Sequence, residues 1–431
     1  MPFGFFIIMA AQFLSGLADN ALLVASISLL MHYNAPEWLT PMLKFFFTVS
    51  YVLFAALVGA FADSMPKGRV MFITNLIKIF GCFLIFFHQW WETPIFSDYY
   101  TILFGYAIVG FGAAAYSPAK YGILTEYLPH NKLVEANGWI EGLTVGSIIL
   151  GTLLGGALIS DRVADVLLSI HLPFLNQTLK TPAEAAICVI IGVYGLASLF
   201  NLYIPNTGVD HKMVNRNPLY LIREFHHCVK LLWSDKLGQI SLATTTLFWG
   251  AGATLQFIVI KWANVTLGYS LSQATYLQGI CAVGVALGAI IAAKFIPLRL
   301  TVKVIPMGIL MGILVILMIA VKNVYFAVPL IILIGALSGF FVVPMNALLQ
   351  HRGHMLMGSG HSIAVQNFNE NLSILIMISI YSLLIGLDLP ISIVIIFFGL
   401  FISSSMWFVR KRYLYLLTLG PMPNIPSDTT H

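Results

Sequence analysis

Charge is what this chain has least of. Asp, Glu, Lys and Arg make up 9% of its 431 residues, against roughly 25% in an ordinary soluble domain. The 17 acids and 22 bases are too few to clothe a water-facing surface of that size. Soluble enzymes, nucleic-acid binders and disordered chains are excluded together. Cysteine is also scarce. Cys82, Cys188, Cys228 and Cys281 stand singly with no C-x-x-C, so reduced thiols are expected, with no disulfide framework and no metal site. No Walker loop, G-x-S-x-G or His/Cys cluster at metal spacing occurs, which leaves catalysis and ATP hydrolysis without residues to carry them and calls for no cofactor. Met1 leads into an apolar stretch without a basic segment before it, and that predicts an uncleaved first span rather than a signal peptide.

What the chain has instead is apolar text, 59% by residue type. The runs are about 20 residues or longer and lack the alternation of a barrel strand, so an all-α integral membrane protein is expected. Twelve spans are predicted, near 3–31, 41–62, 69–91, 99–124, 134–160, 183–205, 237–262, 273–296, 302–321, 325–350, 361–386 and 390–409. The polar interval 206–236 divides them into two six-helix lobes, 1–205 and 237–409, followed by a tail, 410–431. With the N-terminus inside, fifteen Lys and Arg fall in inner loops and the tail, and only Arg162, Lys180 and Lys322 fall outside. The positive-inside rule then places both termini, the 206–236 linker and the tail in the cytoplasm.

The lobes echo one another. Ser117-Pro118-Ala119-Lys120 closes span 4 and Val343-Pro344-Met345-Asn346 closes span 10, while Asn137-Gly-Trp-Ile-Glu141 in span 5 answers Gln366-Asn-Phe-Asn-Glu370 in span 11. Parallel six-span repeats mark two-lobed transporters with a site between the lobes. Between spans 2 and 3, Gly59-x-x-x-Asp63-Ser-Met-Pro-Lys67-Gly68-Arg69 resembles the cytoplasmic loop signature of the major facilitator superfamily. The interval from Asp63 to Gly68 is two residues longer than in that signature.

A charge near mid-bilayer needs a reason. Asp19 lies deep in the first span, with Gln12, Ser15 and Asn20 partly sharing its face. It is either a cavity carboxylate for a substrate cation or coupling ion, or a buried acid paired for structure. Lys120 follows Pro118, where a bent or broken helix is expected, within Tyr116-Ser-Pro-Ala-Lys120. It is placed to receive a phosphate, or else to snorkel to the interface. Glu141 and Glu370, at equivalent positions of the two lobes, are candidates to hold an ammonium, to pair with Lys120 or to lock the lobes. Gln366, Asn367, Asn369 and Asn371 make the Glu370 region polar. Lys44 and Lys261 read as snorkelling residues, and Lys78 stays ambiguous.

Five blocks together resemble one family, the bacterial lysophospholipid transporters of the major facilitator superfamily. They are Ala11-Gln-Phe-Leu-Ser-Gly-Leu-Ala-Asp19-Asn-Ala-Leu-Leu23, Ala113-Ala-Ala-Tyr-Ser-Pro-Ala-Lys120-Tyr-Gly-Ile-Leu124, Leu247-Phe-Trp-Gly-Ala-Gly-Ala-Thr-Leu255, Gly339-Phe-Phe-Val-Val-Pro-Met-Asn346-Ala-Leu-Leu-Gln-His-Arg-Gly353 and Ile363-Ala-Val-Gln-Asn367-Phe-Asn-Glu370-Asn371. The resemblance implies a major-facilitator fold and flipping of lysophosphatidylethanolamine and related single-chain lipids from the outer to the inner leaflet of a bacterial inner membrane. It further implies reacylation by a cytoplasmic-face acyltransferase. Asp19, Asn20, Tyr116, Lys120, Glu141, Gln256, Asn346, Asn367 and Glu370 are the expected substrate-binding residues, with Gly59, Asp63, Gly68, Arg69, Pro118 and Pro344 as gating or structural positions. Gln256 departs from the family, in which an arginine is expected, and His351 stands where an acid often precedes Arg-Gly. The rival expectation is a proton- or sodium-coupled facilitator of another small polar or amphipathic solute. A monomer, with lipid as its partner and no nucleic acid, is expected in either case.

Overall fold

The computed structural model describes residues 2–420 apart from 64, 89–97, 129–132, 170–179, 206, 208–217 and 358. It leaves undescribed the side chains of 59, 60, 63, 98, 125, 133–135, 137, 138, 141, 218, 354, 359 and 360. Among the described residues every regular element is helical. Contacts group the chain into two compact units, Met1–Pro218 with Leu271–Tyr276, and Leu219–Ser270 with Leu277–His431.

The first unit carries α1 (Phe3–His32), α2 (Leu39–Leu53), α3 (Ala55–Asp63), α4 (Lys67–Phe86), α5 (Asp98–Tyr127), α6 (Leu133–Leu158), α7 (Asp161–Ser169) and α8 (Pro182–Leu202). The second carries α9 (Pro218–Ser234), α10 (Lys236–Leu267), most of α11 (Leu271–Phe295), α12 (Ile305–Leu317), α13 (Val324–Met357), α14 (Ser359–Gly386) and α15 (Ile391–Thr418). Among the described residues ten helical segments are long and apolar enough to cross a membrane, so the chain is a multi-pass membrane protein. The two remaining expected spans differ from plain rods. Span 2 divides at Phe54 into α2 and α3, and the span ending near 160 gives way to α7 through a 67° bend. α15 runs on to Thr418 instead of ending near 409.

Of the bent or broken helix expected at Pro118, the break does not occur. α5 is helical from Asp98 to Tyr127 with Pro118 inside it, and α13 likewise carries Pro344 within its length. A proline removes one helical hydrogen bond, at about 3 kcal/mol. α5 packs along α2, α4 and α3, and that lateral packing holds the helix on either side of the lost bond.

The two units repeat one packing scheme. In the first, α1 lies on α6 and α8, and α4 on α5 and α8. In the second, α10 lies on α14 and α15, and α12 on α13 and α15. Lipid removes the hydrophobic drive between helices, so association rests on close backbone approach. α11 and α13 show how close. Gly284 and Gly288 face the carbonyls of Ile332 and Ala336, while Gly335 and Gly339 face those of Cys281 and Val285. A methyl group at any of the four would overlap a backbone oxygen of the neighbouring helix.

Helix ends are set by local chemistry. Thr181 and Glu184 form a capping box at the start of α8, with the Thr181 hydroxyl 3.2 Å from the Glu184 amide and the Glu184 carboxylate 2.9 Å from the Thr181 amide. Asp235 caps α10 through the Gly238 amide at 2.7 Å. α9 is amphipathic and packs Cys228 and Leu232 on Leu242, Leu349 and Val365 of its own unit.

Candidate functional site: a buried ion pair on α1

α1 presents Gln12, Ser15 and Asp19 at intervals of three and four residues, which puts them on one face. α4 brings Thr74, Asn75 and Lys78 opposite, all of them buried. Lys78 Nζ donates to both Asp19 oxygens, at 2.9 and 2.8 Å, and to Ser15 Oγ at 3.0 Å. All three ammonium protons are thereby used. From α8, the Tyr194 hydroxyl donates to Asp19 Oδ1 at 2.5 Å. The Lys78 ammonium also lies 5.1 Å from the Tyr116 ring centroid and 5.6 Å from that of Tyr194, within cation–π range. The pair is asymmetric: the Asp19 side chain is 17% exposed and that of Lys78 only 1%. Gly112 of α5 leaves the space for the lysine stem, since a Cβ there would sit 2.8 Å from Lys78 Cγ.

A second polar group continues along α1. Lys120 Nζ donates to Thr144 Oγ1 at 2.9 Å and lies 4.9 Å from the Tyr121 ring centroid. Gln12 Nε2 reaches the same Thr144 hydroxyl at 3.4 Å. Three buried polar atoms in this region have no hydrogen-bond partner among the described residues: Gln12 Oε1, Asn75 Nδ2 and the Tyr116 hydroxyl. Buried polar atoms are nearly always satisfied, so these three have hydrogen-bonding capacity left over for water or a ligand.

The second unit has its own polar group. Gln366 Nε2 donates to Glu370 Oε1 at 2.7 Å and to Asn346 Oδ1 at 3.2 Å, and Trp233 Nε1 donates to Asn369 Oδ1 at 3.1 Å. Gln278 Nε2 donates to the Gln256 carbonyl at 2.9 Å. Trp249 Nε1 and Gln278 Oε1 have no partner among the described residues. Further along, Arg352 grips Asp235 by two bonds, Nε–Oδ1 at 3.0 Å and Nη2–Oδ2 at 2.6 Å. Burial pushes the Asp235 carboxyl up, but the Arg352 guanidinium and the Gly238 and Leu237 amides outweigh it and hold the group below its ordinary value.

Several expected site residues thus meet. Asp19 and Tyr116 share the Lys78 ammonium, and Asn346 and Glu370 share Gln366. Asn20 turns back on its own helix, donating to the Gly16 carbonyl at 2.8 Å. The Asn367 carbonyl is taken by the Asn371 side chain at 2.7 Å. Gly68 stands in the first turn of α4 against Ile204 and the Asn201 carbonyl, and Arg69 beside it is exposed. The Gly59, Asp63 and Glu141 side chains lie outside the described residues. Lys78, Tyr194, Asn75 and Thr144 carry the geometry yet were not expected in it. A lysine beside Thr74 and Asn75 in an apolar run was the available signal for α4, while Tyr194 stands in plain apolar text.

A helical membrane protein with two repeated units and buried, paired charge defines the class of a multi-pass transporter. The family model of the Major Facilitator Superfamily matches residues 8–378. Among solved structures, the nucleoside transporter NupG superposes with a TM-score of 0.69 at 12% identity, over 96% of this chain and 99% of that one. A bacterial homologue of the human lysosomal transporter Spinster, inward-facing and unoccupied, gives 0.63 at 15% identity, over 96% and 97%. Closer in sequence is the lysophospholipid transporter LplT of Escherichia coli O127:H6, 39% identical over 94% of this chain and 96% of that protein. The LplT of Klebsiella pneumoniae is 39% identical over 95% and 96%. The chain belongs to the LplT family of the major facilitator superfamily.

Proposed function

We propose that this protein moves lysophosphatidylethanolamine and related single-chain phospholipids from the outer to the inner leaflet of a bacterial inner membrane by alternating access between its two lobes. The observation that carries this reading is the set of charges along α1: the ion pair Asp19–Lys78 with Ser15 beside it, and a second cation, Lys120, held by Thr144, whose hydroxyl Gln12 of the same α1 face also reaches. A lysophospholipid head group of this kind has one ammonium and one phosphate. A carboxylate for the first and an ammonium for the second, held out of lipid, are what its transfer requires. The names of the relatives point to the same substrate class.

In this scheme Asp19, with Asn20 and Tyr116 beside it, takes the ammonium, and Lys120 takes the phosphate. Gln256, Asn346, Asn367, Glu370 and Glu141 add polar contacts. Gly59, Asp63, Gly68, Arg69, Pro118 and Pro344 serve the change of state. Both termini face the cytoplasm, the protein works as a monomer, and an acyltransferase on that face restores the second acyl chain to the delivered lipid.

Leaflet-specific uptake of labelled lysophosphatidylethanolamine into spheroplasts tests the reading. Cells containing the protein are expected to internalise the lipid faster than cells lacking it, and equal rates would sink the proposal. Lys120→Met is expected to lower uptake about tenfold, in keeping with the loss of one charge-assisted contact. A facilitator driven by protons or sodium through Asp19 and carrying another solute would leave lipid uptake unchanged between the two cell types.

A further inference from the structure

Asp19, Ser15, Tyr116 and Tyr194 enclose Lys78 Nζ as a receptor for a primary ammonium would. Two carboxylate oxygens and one hydroxyl accept its three protons at 2.8, 2.9 and 3.0 Å. Two tyrosine rings line the flanks at 5.1 and 5.6 Å, and the Tyr194 hydroxyl fixes the carboxylate at 2.5 Å. Three acceptors and two π-faces around one nitrogen suit R–NH₃⁺, which has three donors, and leave a quaternary nitrogen with none to offer.

We infer that this cage is an exchange site for a primary alkylammonium, and that Lys78 is its built-in occupant. The Asp19 side chain keeps 17% exposure, whereas that of Lys78 keeps 1%. The carboxylate is thus the member of the pair that an incoming ammonium can reach. It takes over the same three acceptors charge for charge, so the Asp19 carboxylate keeps a cationic partner throughout the exchange. The displaced Lys78 ammonium then needs a partner of its own, which an anionic group on the same ligand supplies. Two atoms left without partners beside the cage, Asn75 Nδ2 and the Tyr116 hydroxyl, supply donors to that anionic group or to water that moves with it. Applied to an ethanolamine head group, this assignment rests on the lipid reading above, but the cage itself does not need it.

The test is chemical rescue on the full-length protein in detergent micelles. Lys78→Ala removes three methylenes and the nitrogen, the outline of n-propylammonium. Adding n-propylammonium chloride is expected to raise the Tm of Lys78→Ala saturably by several degrees, while equimolar tetramethylammonium chloride does not. Wild type and the Asp19→Asn/Lys78→Ala double variant are expected to show no such rise. Absence of a propylammonium-specific rise in Lys78→Ala, or an equal rise in the double variant, overturns the cage. Should Lys78→Ala not fold, the wild-type chain decides. Reductive methylation of Lys78, read by peptide mass spectrometry with reagent in excess, is expected to accelerate about tenfold when saturating lysophosphatidylethanolamine is added. An unchanged or slower rate overturns the exchange. The rescue arm contains no lipid, so its result stands even if the uptake experiment defeats the lipid reading.

Discussion

Removing either partner of the Asp19–Lys78 pair should be far more damaging than removing both. Lys78 is 1% exposed and spends all three protons on Asp19 and Ser15. Lys78→Met leaves a carboxylate whose remaining described donor is the Tyr194 hydroxyl. Breaking a buried pair by deleting one member costs about 3–5 kcal/mol, because the survivor stays charged without a partner. Asp19 keeps some access to water at 17% exposure, which places Lys78→Met near the lower end, about 3 kcal/mol. Asp19→Asn strands the deeper ammonium, but the Ser15 hydroxyl and two tyrosine rings remain, and their cation–π contacts return about 1–2 kcal/mol. A cost of about 3 kcal/mol is expected there as well. The double variant, Asp19→Asn/Lys78→Met, buries no net charge, and its cost falls to about 1–2 kcal/mol. The interaction energy of the cycle is then about 4–5 kcal/mol in magnitude. The assay is equilibrium unfolding of the four purified proteins in mixed micelles of dodecylmaltoside and increasing SDS. Additive losses, with the double variant near 6 kcal/mol, would refute the idea that the pair is held as a neutral unit.

Other expectations concern the scaffold. The Asp235–Arg352 fork is sensitive to acid in one direction only. Asp235 is held below its ordinary value of 3.8, so its contribution is complete above that value and fades as pH falls through the lower folded value. Amide exchange at the α9–α10 junction should stay flat from pH 7 to about pH 4 after correction for intrinsic rates, and protection should drop only below that. Protection that weakens between pH 7 and 5 would count against the fork. Gly335→Val should push α13 off the Cys281 carbonyl and cost about 3 kcal/mol or more by overpacking. Unchanged detergent stability would mean that the two helices do not meet at that point.

The membrane class and the spans were legible without a structure, since a 20-residue apolar run meets its requirement within itself. Asp19 was legible for the same reason: an acid far from either end of a span stands out whatever surrounds it. The family, too, could be read in the blocks around Asp19, Lys120 and Glu370. What sits across from those residues was not. Lys78 is one of four in-span lysines, and nothing local separates it from Lys44, which lies 5.2 Å from the Phe47 ring centroid. At Pro118 the helix does not break, because packing against α2, α3 and α4 overrides what propensity alone allows.

By itself, then, the sequence determined that the chain lives in lipid and that a few charges remain inside at a cost needing repayment. Each of those follows from transfer free energies summed along a short stretch. The tertiary structure decided how the cost is met. Asp19 is answered by a lysine 59 positions away and a tyrosine 175 positions away. Such partners are chosen by which helix faces touch, and no local pattern in α1, α4 or α8 encodes that choice.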